Sequence, residues 1–538
     1  MAGLAIALGS GAMTNAIADV LKSETILVTG SNTTENHPIY ANYIKEAVFR
    51  KGANLIVADP RRIDLVDYAH LWLAQRPGTD IAWINGLIHV ILKEKLHAAD
   101  YIRDRTEGFA GMEKTVEKYT PEYVSKITGI PAAQIRKAAM MYGKARPASI
   151  LYTMGITQHA NGTDTVLALA NLAMVCGNIG VEGGGINPLR GQNNVQGACD
   201  MGALPNVFPA YQPVSSGESR EKFSQAWGAT LSDKPGLTVV EISHAAEAGR
   251  VKAIYVVGEN PLLSDPDLSH VKAAFEKLDL LVVQDIFMTE TARAADVVLP
   301  SACFAEKDGT FTNSERLVQL VRKAIPAPGD ARADWEIISD LSTRLGYPMH
   351  YNNPREIMEE ISSVAPSYAG ITHARIEKEG IAWPCPTLDH PGTRMLHKDR
   401  IVRGKGLFHS VEYTAPAETP DEEYPLVLTT GRVLYHYHTG SMTRIGKGMN
   451  ERCPESLIEI NPADARKLSV DSGMMVDVSS RRGKVRVKAK VTDRLPVGTV
   501  FMNFHFHEAA VNLLTNPALD PVSKIPELKA CAVKVEAA

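Results

Sequence analysis

The chain has 538 residues, 45% hydrophobic and 22% charged, with a formal net charge of −4. That length exceeds one core and asks for about two to four domains. The slight acidity and the lack of a basic block give nucleic-acid binding no electrostatic support, and no apolar run reaches the roughly 18 residues that cross a bilayer. The six cysteines (Cys176, Cys199, Cys303, Cys385, Cys453 and Cys531) form no CxxC pair. That spacing encodes neither a zinc ribbon nor an iron–sulfur loop and fits a reducing compartment, so the chain is expected in the cytoplasm.

The N-terminal MAGLAIALGSGAMTN lacks a basic n-region and reads as a buried loop or helix start rather than a signal peptide. ETILVTGSN (24–32) is a β-rich run ending in a glycine turn. HPIYANYIKEAVFRKG follows with apolar residues at Tyr40, Tyr43, Ile44, Ala47 and Val48, a helical spacing with Gly52 as C-cap. ANLIVADPRR (53–62) is the next strand, and strand–helix–strand with short joins predicts a parallel sheet. Ile84, Leu87, Ile88, Ile91 and Leu92 mark another helix; PASILYTMG (147–155) is a strand, followed by a helix over 163–176. A second α/β set starts near residue 236, with strands in VKAIYVVGENP (251–261) and LDLLVVQDIFMTETARAADVVLP (278–300), whose VVLP is a third. Residues 305–400 show weaker periodicity. SVEYTAPAETPDEEYP (410–425) reads as a linker because Pro and Glu crowd it. Beyond it, strands such as KVRVKAKV (484–491) predict a C-terminal β-barrel or sandwich of about 110 residues.

In open parallel sheets, ligands bind beyond the carboxyl ends of the strands. Four such ends carry polar turns here: TGSNTTENHP, ADPRR, VGENP and VQDIF. Two sets in one chain suggest two nucleotide-like ligands. No P-loop occurs, and GSGAMTNA is only part of a dinucleotide fingerprint with no strand before it, so a nicotinamide-dependent dehydrogenase lacks its motif. If YHYH (435–438) were a strand, His436 and His438 would share a face; stacking or phosphate contacts suit it and HFH (505–507) better than a metal, and no HExxH occurs. PLRGQNNVQGACDMGAL (188–204) concentrates hydrogen-bonding groups on little bulk. The Arg190 fork matches a carboxylate or phosphate. Gln192, Asn193, Asn194 and Gln196 add neutral donors and acceptors, and the small residues let a flat ligand approach the backbone. The pattern suits a small anion meeting a large polar cofactor; a polar loop capping a helix is the alternative.

RGQNNVQGACDMGALP closely resembles the same run in catalytic subunits of formate dehydrogenases of the molybdopterin oxidoreductase family. The resemblance continues in order through GSGAMTN, DPR, RTEGF, MGITQ, QDIFMTETA, GTFTNSER, EYPLVLTTGR and LKACAVKVE, over essentially the whole chain. It implies an α/β fold with two Rossmann-like parallel-sheet domains around a bis-pterin cleft, plus a C-terminal β-barrel of the double-psi type. The implied domains are 1–190, 191–400 with an irregular insertion at 305–400, and a molybdopterin dinucleotide-binding barrel at 421–538. It implies bis-molybdopterin guanine dinucleotide with molybdenum or tungsten, formate as substrate, and electrons leaving through an iron–sulfur cluster to an iron–sulfur subunit. By resemblance, Arg190 grips the formate carboxylate and Gln192 supports it. Asn32, Glu35, His37, Asp59, Arg61 and Asp80 hold one dinucleotide; Gly258, Glu259, Asn260, Gln284 and Asp285 hold the other. Met154, Gln158, Arg432, Ser441, Asn512 and Lys529 line the pterins.

The family's chains begin with cysteines that hold a [4Fe–4S] cluster, then a metal-ligating selenocysteine or cysteine followed by His-x-Pro-[Ser/Thr]-Val-Ala-Gly-Leu. Here Met1 stands at the valine position. A selenocysteine UGA codon taken as a stop, with a restart at a GTG codon, would produce that coincidence; the DNA upstream tests it. On this reading residues 1–538 contain no metal ligand and need the missing N-terminal segment. The isolated chain is expected to be inactive toward formate, to expose an apolar face and to dissolve poorly. Two alternatives stay open: a non-catalytic electron-relay scaffold like the large subunit of respiratory complex I, against which the Arg190–Gln196 run speaks, and a molybdopterin oxidoreductase acting on another anion.

Overall fold

A computed structural model describes residues 1–538. The first sheet is formed by β1 (Thr25–Thr29), β2 (Asn54–Ala58), β3 (Leu71–Leu73), β4 (Ala148–Tyr152) and β5 (Ile186–Pro188), all parallel, in the order β3-β2-β1-β4-β5. The order reverses between β1 and β4, which pair from Thr25↔Ala148 to Thr29↔Tyr152. The helix expected after β1 spans Pro38–Lys51; Tyr40, Ala41, Ile44 and Ala47 are buried, and Gly52 ends it in the left-handed region at φ 75°. Helices Asp80–Lys93 and Gly162–Val175 are apolar nearly all round, and both lie in the main core with Trp83, Leu87, Ile88, Leu169 and Leu172. A helix without a polar face belongs inside. The N-terminal stretch is a helix, Ala2–Leu8, whose Leu4, Ala7 and Leu8 join that core.

The second parallel sheet contains β6 (Ala253–Val257), β7 (Leu280–Asp285) and β8 (Val297–Pro300), with β7 in the middle. Residues 305–400 hold a small antiparallel sheet of β9 (Gly309–Thr312), β10 (Leu317–Val321) and β11 (Ile381–Ala382), and helices Asp334–Arg344 and Pro354–Val364.

The C-terminal strands close a six-stranded barrel: β12 (Leu426–Gly431), β13 (Leu457–Ile460), β14 (Met475–Ser479), β15 (Lys484–Val491), β16 (Thr499–Asn503) and β17 (Cys531–Ala537), in the order β12-β16-β13-β15-β14-β17. Parallel pairs (β12/β16, β13/β15) and antiparallel pairs mix, and closure leaves no free edge. Alternate residues Val485, Val487 and Ala489 of β15 point into the barrel core.

Two compact units result: residues 1–189, 263–269 and 395–538, which contain the first sheet and the barrel, and residues 190–262 and 270–394, which contain the second sheet. Within the first unit, Thr163 donates to Asp520 from its backbone (2.8 Å) and hydroxyl (2.7 Å), and the Arg62 N–H donates to the Arg494 carbonyl at 2.7 Å.

Two sequence expectations are corrected. The 410–425 stretch is irregular but fastened down. Val411 is buried in the core, its carbonyl accepts from Asn85 Nδ2 at 2.8 Å, and Tyr119 donates to Glu412 at 2.8 Å. YHYH is not a strand, because β12 ends at Gly431 and the chain turns. His436 Nε2 bonds the Cys453 carbonyl at 2.7 Å, so period-two spacing here reflects turn packing. No helix is long and apolar enough to cross a membrane.

Candidate functional site

In the first unit the strand order brings together loops far apart in sequence. Asn32 and Glu35 follow β1, Asp59 and Arg61 follow β2, and Met154 and Gln158 follow β4 on the far side of the reversal. Gly30 lets the β1 and β4 turns touch: it has φ 56°, its carbonyl accepts from the Gly155 N–H at 3.1 Å, and a Cβ there would meet Ile156 N at 2.6 Å. Asn32 Oδ1, Thr34 Oγ1 and Glu35 Oε2 are buried atoms with no hydrogen-bond partner in the chain. Buried polar atoms are rarely left so in a working protein, and three in one turn call for a ligand or ordered water.

The charges around this loop are out of balance. Burial pushes the Asp59 carboxyl up to about 7, against the Arg61 N–H that donates to it at 2.9 Å. Burial raises Glu35 as well. Beyond β12 and β16 two cations flank one ring: Lys529 Nζ lies 5.9 Å and Arg432 Cζ 5.8 Å from the centre of Phe504. Lys529 donates to the Thr430 carbonyl at 2.8 Å, and burial, then Arg432, push it down to about 7. Burial lowers Arg432 too. Two crowded, desolvated cations whose charge is resisted by their surroundings form a site that an anion would relieve.

Other expected residues are tied into the protein. Arg61 makes a two-bond pair with Glu459 (Nε 2.7 Å, Nη2 3.0 Å), both side chains 7% exposed, and its guanidinium lies 4.4 Å over Phe501. Its visible work is joining the sheet to the barrel. Asp80 accepts from Gln75 at 3.2 Å and Trp83 at 3.1 Å. Asn512 donates to the carbonyls of Leu263 and Ser264 at 3.1 and 2.9 Å, and Ser441 bonds Thr439 at 2.9 Å. His37 stands immediately before the helix Pro38–Lys51, and Met154 is 44% exposed. His505 accepts from the Val433 N–H at 3.0 Å and donates to the His438 carbonyl, so both ring nitrogens serve the backbone. Burial pushes His438 and His505 down to about 4 and about 3, so both are neutral at physiological pH.

In the second unit, Gly258, Glu259 and Asn260 follow β6, and Gln284 and Asp285 close the neighbouring β7. The Gly258 N–H donates to the Gln284 carbonyl at 2.9 Å. Asn260 donates to Glu290 at 2.7 Å and accepts from Thr291; Gln284 donates to Asp334 at 2.6 Å; Asp285 accepts from the N–H groups of Ile286 and Phe287.

Arg190 is half-buried in the same unit. Its N–H donates to Ser314 Oγ at 3.1 Å, while Nε and Nη2 both donate to Gln196 Oε1 at 3.2 and 3.0 Å. Gln192 is half-buried, and its carbonyl accepts from Val195 at 3.5 Å. Behind Gln196 stand Asp200, Tyr211 and Tyr368, none of which sequence reasoning picked as site residues. Asp200 carried a signal, since it lies four residues from Gln196 on helix Val195–Asp200. Tyr368, 168 residues further on, carried none.

Comparison with known proteins decides the family. Residues 5–344 match the molybdopterin oxidoreductase family. The chain belongs to that family. Residues 426–532, the barrel of this molybdopterin oxidoreductase, match the molybdopterin dinucleotide binding domain. The F420-dependent formate dehydrogenase subunit alpha of Methanocaldococcus jannaschii is 52% identical over 99% of the chain and 79% of its own length. Formate dehydrogenase H of Escherichia coli is 44% identical over the whole chain and 76% of its own length. Acetylene hydratase from Pelobacter acetylenicus shares the fold with a TM-score of 0.79 at 22% identity, over the whole chain and 80% of its own. The donor set of the first unit suits the dinucleotide that the family binds: unpartnered oxygens beyond β1 can take amino and hydroxyl groups, and Lys529 and Arg432 can take an anion.

Proposed function

We propose that this molybdopterin oxidoreductase is the catalytic subunit of a formate dehydrogenase. It would hold two molybdopterin guanine dinucleotides with molybdenum or tungsten, oxidise formate to carbon dioxide, and send electrons through an iron–sulfur cluster to an iron–sulfur subunit. The observation that supports this most is Arg190, a guanidinium steadied by a neutral amide in a chain 52% identical to a formate dehydrogenase subunit. The alternative of a relay scaffold has no use for such a clamp.

Asn32, Glu35, His37, Asp59 and Asp80 would contact one dinucleotide, with Arg61 holding their loop to the barrel. Met154, Gln158, Arg432, Ser441, Asn512 and Lys529 would face its pterin end. Gly258, Glu259, Asn260, Gln284 and Asp285 would hold the other dinucleotide. When bound, the cofactor supplies an acceptor for two electrons. The chain's own task is orientation. Gln196 occupies Nε and one Nη2 hydrogen of Arg190, and the fork's other edge has the geometry that matches a carboxylate. A formate held by both oxygens keeps its C–H bond aimed in one direction, which counts for more than affinity in a transfer step. The C–H bond breaks, two electrons and a proton leave, and carbon dioxide departs without the negative charge that Arg190 gripped. Gln192 would support the same anion.

The test is Arg190→Lys in the complete enzyme. Lysine keeps the charge and loses the fork. kcat/KM for formate, read by dye reduction, should fall about 10–100-fold; unchanged turnover would overturn the reading.

A further inference from the structure

We propose that Gln196 and Asp200 are positioning residues for Arg190: the Asp200 carboxylate fixes which way the Gln196 amide faces, and that amide holds the guanidinium without neutralising it. This rests on the reading of Arg190 as an anion clamp and adds what sets the clamp's geometry.

Gln196 and Asp200 are both 0% exposed. They sit four residues apart on helix Val195–Asp200, a spacing that places side chains on one face. Gln196 Nε2 donates to Asp200 Oδ1 at 2.7 Å and to Tyr211 Oη at 3.0 Å. The Tyr211 hydroxyl donates to the same Oδ1 at 2.7 Å, and the Tyr368 hydroxyl donates to Oδ2 at 2.5 Å. Both carboxylate oxygens are thus occupied by donors.

An amide can face either way, and here only one orientation works. A guanidinium has donors alone, and an ionised carboxylate has acceptors alone. With Oε1 toward Arg190 and Nε2 toward Asp200, every contact pairs a donor with an acceptor. Flipped, the amide would set N–H against N–H on one side and oxygen against oxygen on the other. Asp200 therefore reaches Arg190 through Gln196 without touching it. Burial pushes the Asp200 acid upward, and the hydroxyls of Tyr368 and Tyr211 and the Gln196 amide oppose that push.

The neutral relay explains why an amide stands at 196. A glutamate there would make the same two contacts as a carboxylate and satisfy the Arg190 charge internally. An incoming anion would then compete with a resident one. With glutamine, this contact supplies direction and no charge of its own, and the Asp200 carboxylate acts one side chain further back.

The experiment compares Arg190→Lys, Gln196→Glu and Asp200→Asn in the complete holoenzyme. It measures KM and kcat for formate, the calorimetric Kd of nitrate as a planar anion probe, and the melting temperature. Gln196→Glu should raise both KM and the nitrate Kd at least about tenfold, with kcat at saturating formate falling less; its second oxygen meets Asp200 Oδ1, so one of the two carboxyls takes a proton and the melting temperature falls as well. Asp200→Asn, which frees the amide to flip, should raise both about 2–10-fold, and it carries the test if Gln196→Glu does not accumulate. A purely structural role would lower the melting temperature and leave the constants alone, and that result overturns the proposal. If Arg190→Lys itself leaves formate and nitrate binding unchanged, the clamp reading fails; if Arg190→Lys weakens both and the other two variants do not, the relay alone fails.

Discussion

The two parallel sheets follow one plan and differ in their surroundings. β1 and β4 are buried along their whole length. In the second sheet the pairings Leu280↔Ala253 and Tyr255↔Val282↔Val297 place Leu280, Tyr255 and Val297 on one face, and these residues are 41%, 37% and 43% exposed. The opposite face packs Val256, Leu281 and Val283. The strand ends differ in the same sense. Around those of the first sheet, Asp59 and the barrel's Lys529 are pushed to about 7 from opposite sides, whereas those of the second carry the amides of Asn260 and Gln284 matched to near neighbours, beside an Asp285 that burial raises and two backbone N–H groups hold back. Displaced charges create a demand that a ligand of opposite sign meets; matched amides fix directions in advance. The chain uses the first device where the barrel meets the first sheet and the second device around Arg190.

The sharpest way to break this contrast is to remove one half of the buried pair beside the first sheet. Arg61→Met leaves Glu459 enclosed, with the half-exposed Lys490 at 3.5 Å and the charge of Arg494 as its remaining cations. Stranding a buried charge costs about 3–5 kcal/mol. Burial would raise the Glu459 acid, yet its bonds with Arg61 hold it below the usual carboxylate range. A lowered acid stabilises the fold above its unfolded pKa and loses that contribution as pH falls through the folded value. Denaturant unfolding should therefore show the largest Arg61→Met deficit near neutral pH, narrowing as the solution is acidified below about pH 4. A loss under 1 kcal/mol would place the pair with ordinary surface ion pairs.

Packing differs between the sheets by a smaller amount, which a matched pair of truncations measures. Ile56 of β2 is 0% exposed and lies in the main core, so Ile56→Ala should cost about 2–5 kcal/mol. Leu280 of β7 stands on the open face, and Leu280→Ala should cost about 1 kcal/mol or less. Equal losses would mean that both faces of the second sheet are covered in solution. A stabilising Leu280→Lys would confirm that this face meets water.

The elements that sequence revealed are those with a local cause. The helix Pro38–Lys51 has apolar spacing and a glycine stop, β1 and β2 are short apolar runs bounded by turns, and β15 alternates. Connections that depend on distant partners were hidden. Nothing in 410–425 shows that Asn85 will hold the Val411 carbonyl, and the alternation in YHYH gives no hint that Cys453 takes His436 out of any strand. The site divides in the same way. Arg190, Gln196 and Asp200 lie within eleven residues, so their chemistry could be read as a unit, although the step from Gln196 to Asp200 needed the helix between them. Lys529, Arg432 and Asp59 meet only because the barrel closes beside the sheet, and no spacing in the chain records it. Resemblance named them; the fold brings them near one another.

Lys529 offers the finest test, because its effect is a slope and not a step. Its ammonium is pushed from an ordinary 10.5 down to about 7 by burial and by Arg432, with Asp59 pulling the other way. Between about pH 7 and 10.5 the unfolded chain therefore binds more protons than the folded one. This contribution to stability is present at high pH and is lost as pH falls toward 7, at up to about 1.4 kcal/mol per pH unit. Asp59 behaves in the opposite way: raised from 3.8 to about 7, it contributes at low pH and loses that contribution as pH rises toward neutrality. Together these two groups stabilise the cofactor-free protein least near pH 7. Lys529→Met should remove the rise on the alkaline side and leave the acidic side in place, which melting temperatures at pH 5, 7 and 9 would resolve. An anion bound between Lys529 and Arg432 should do the same by raising the lysine's pKa, so cofactor-loaded wild-type protein and the cofactor-free variant should share the flattened alkaline limb. If the wild-type protein keeps its alkaline slope with cofactor bound, the two cations do not face the ligand's negative charge.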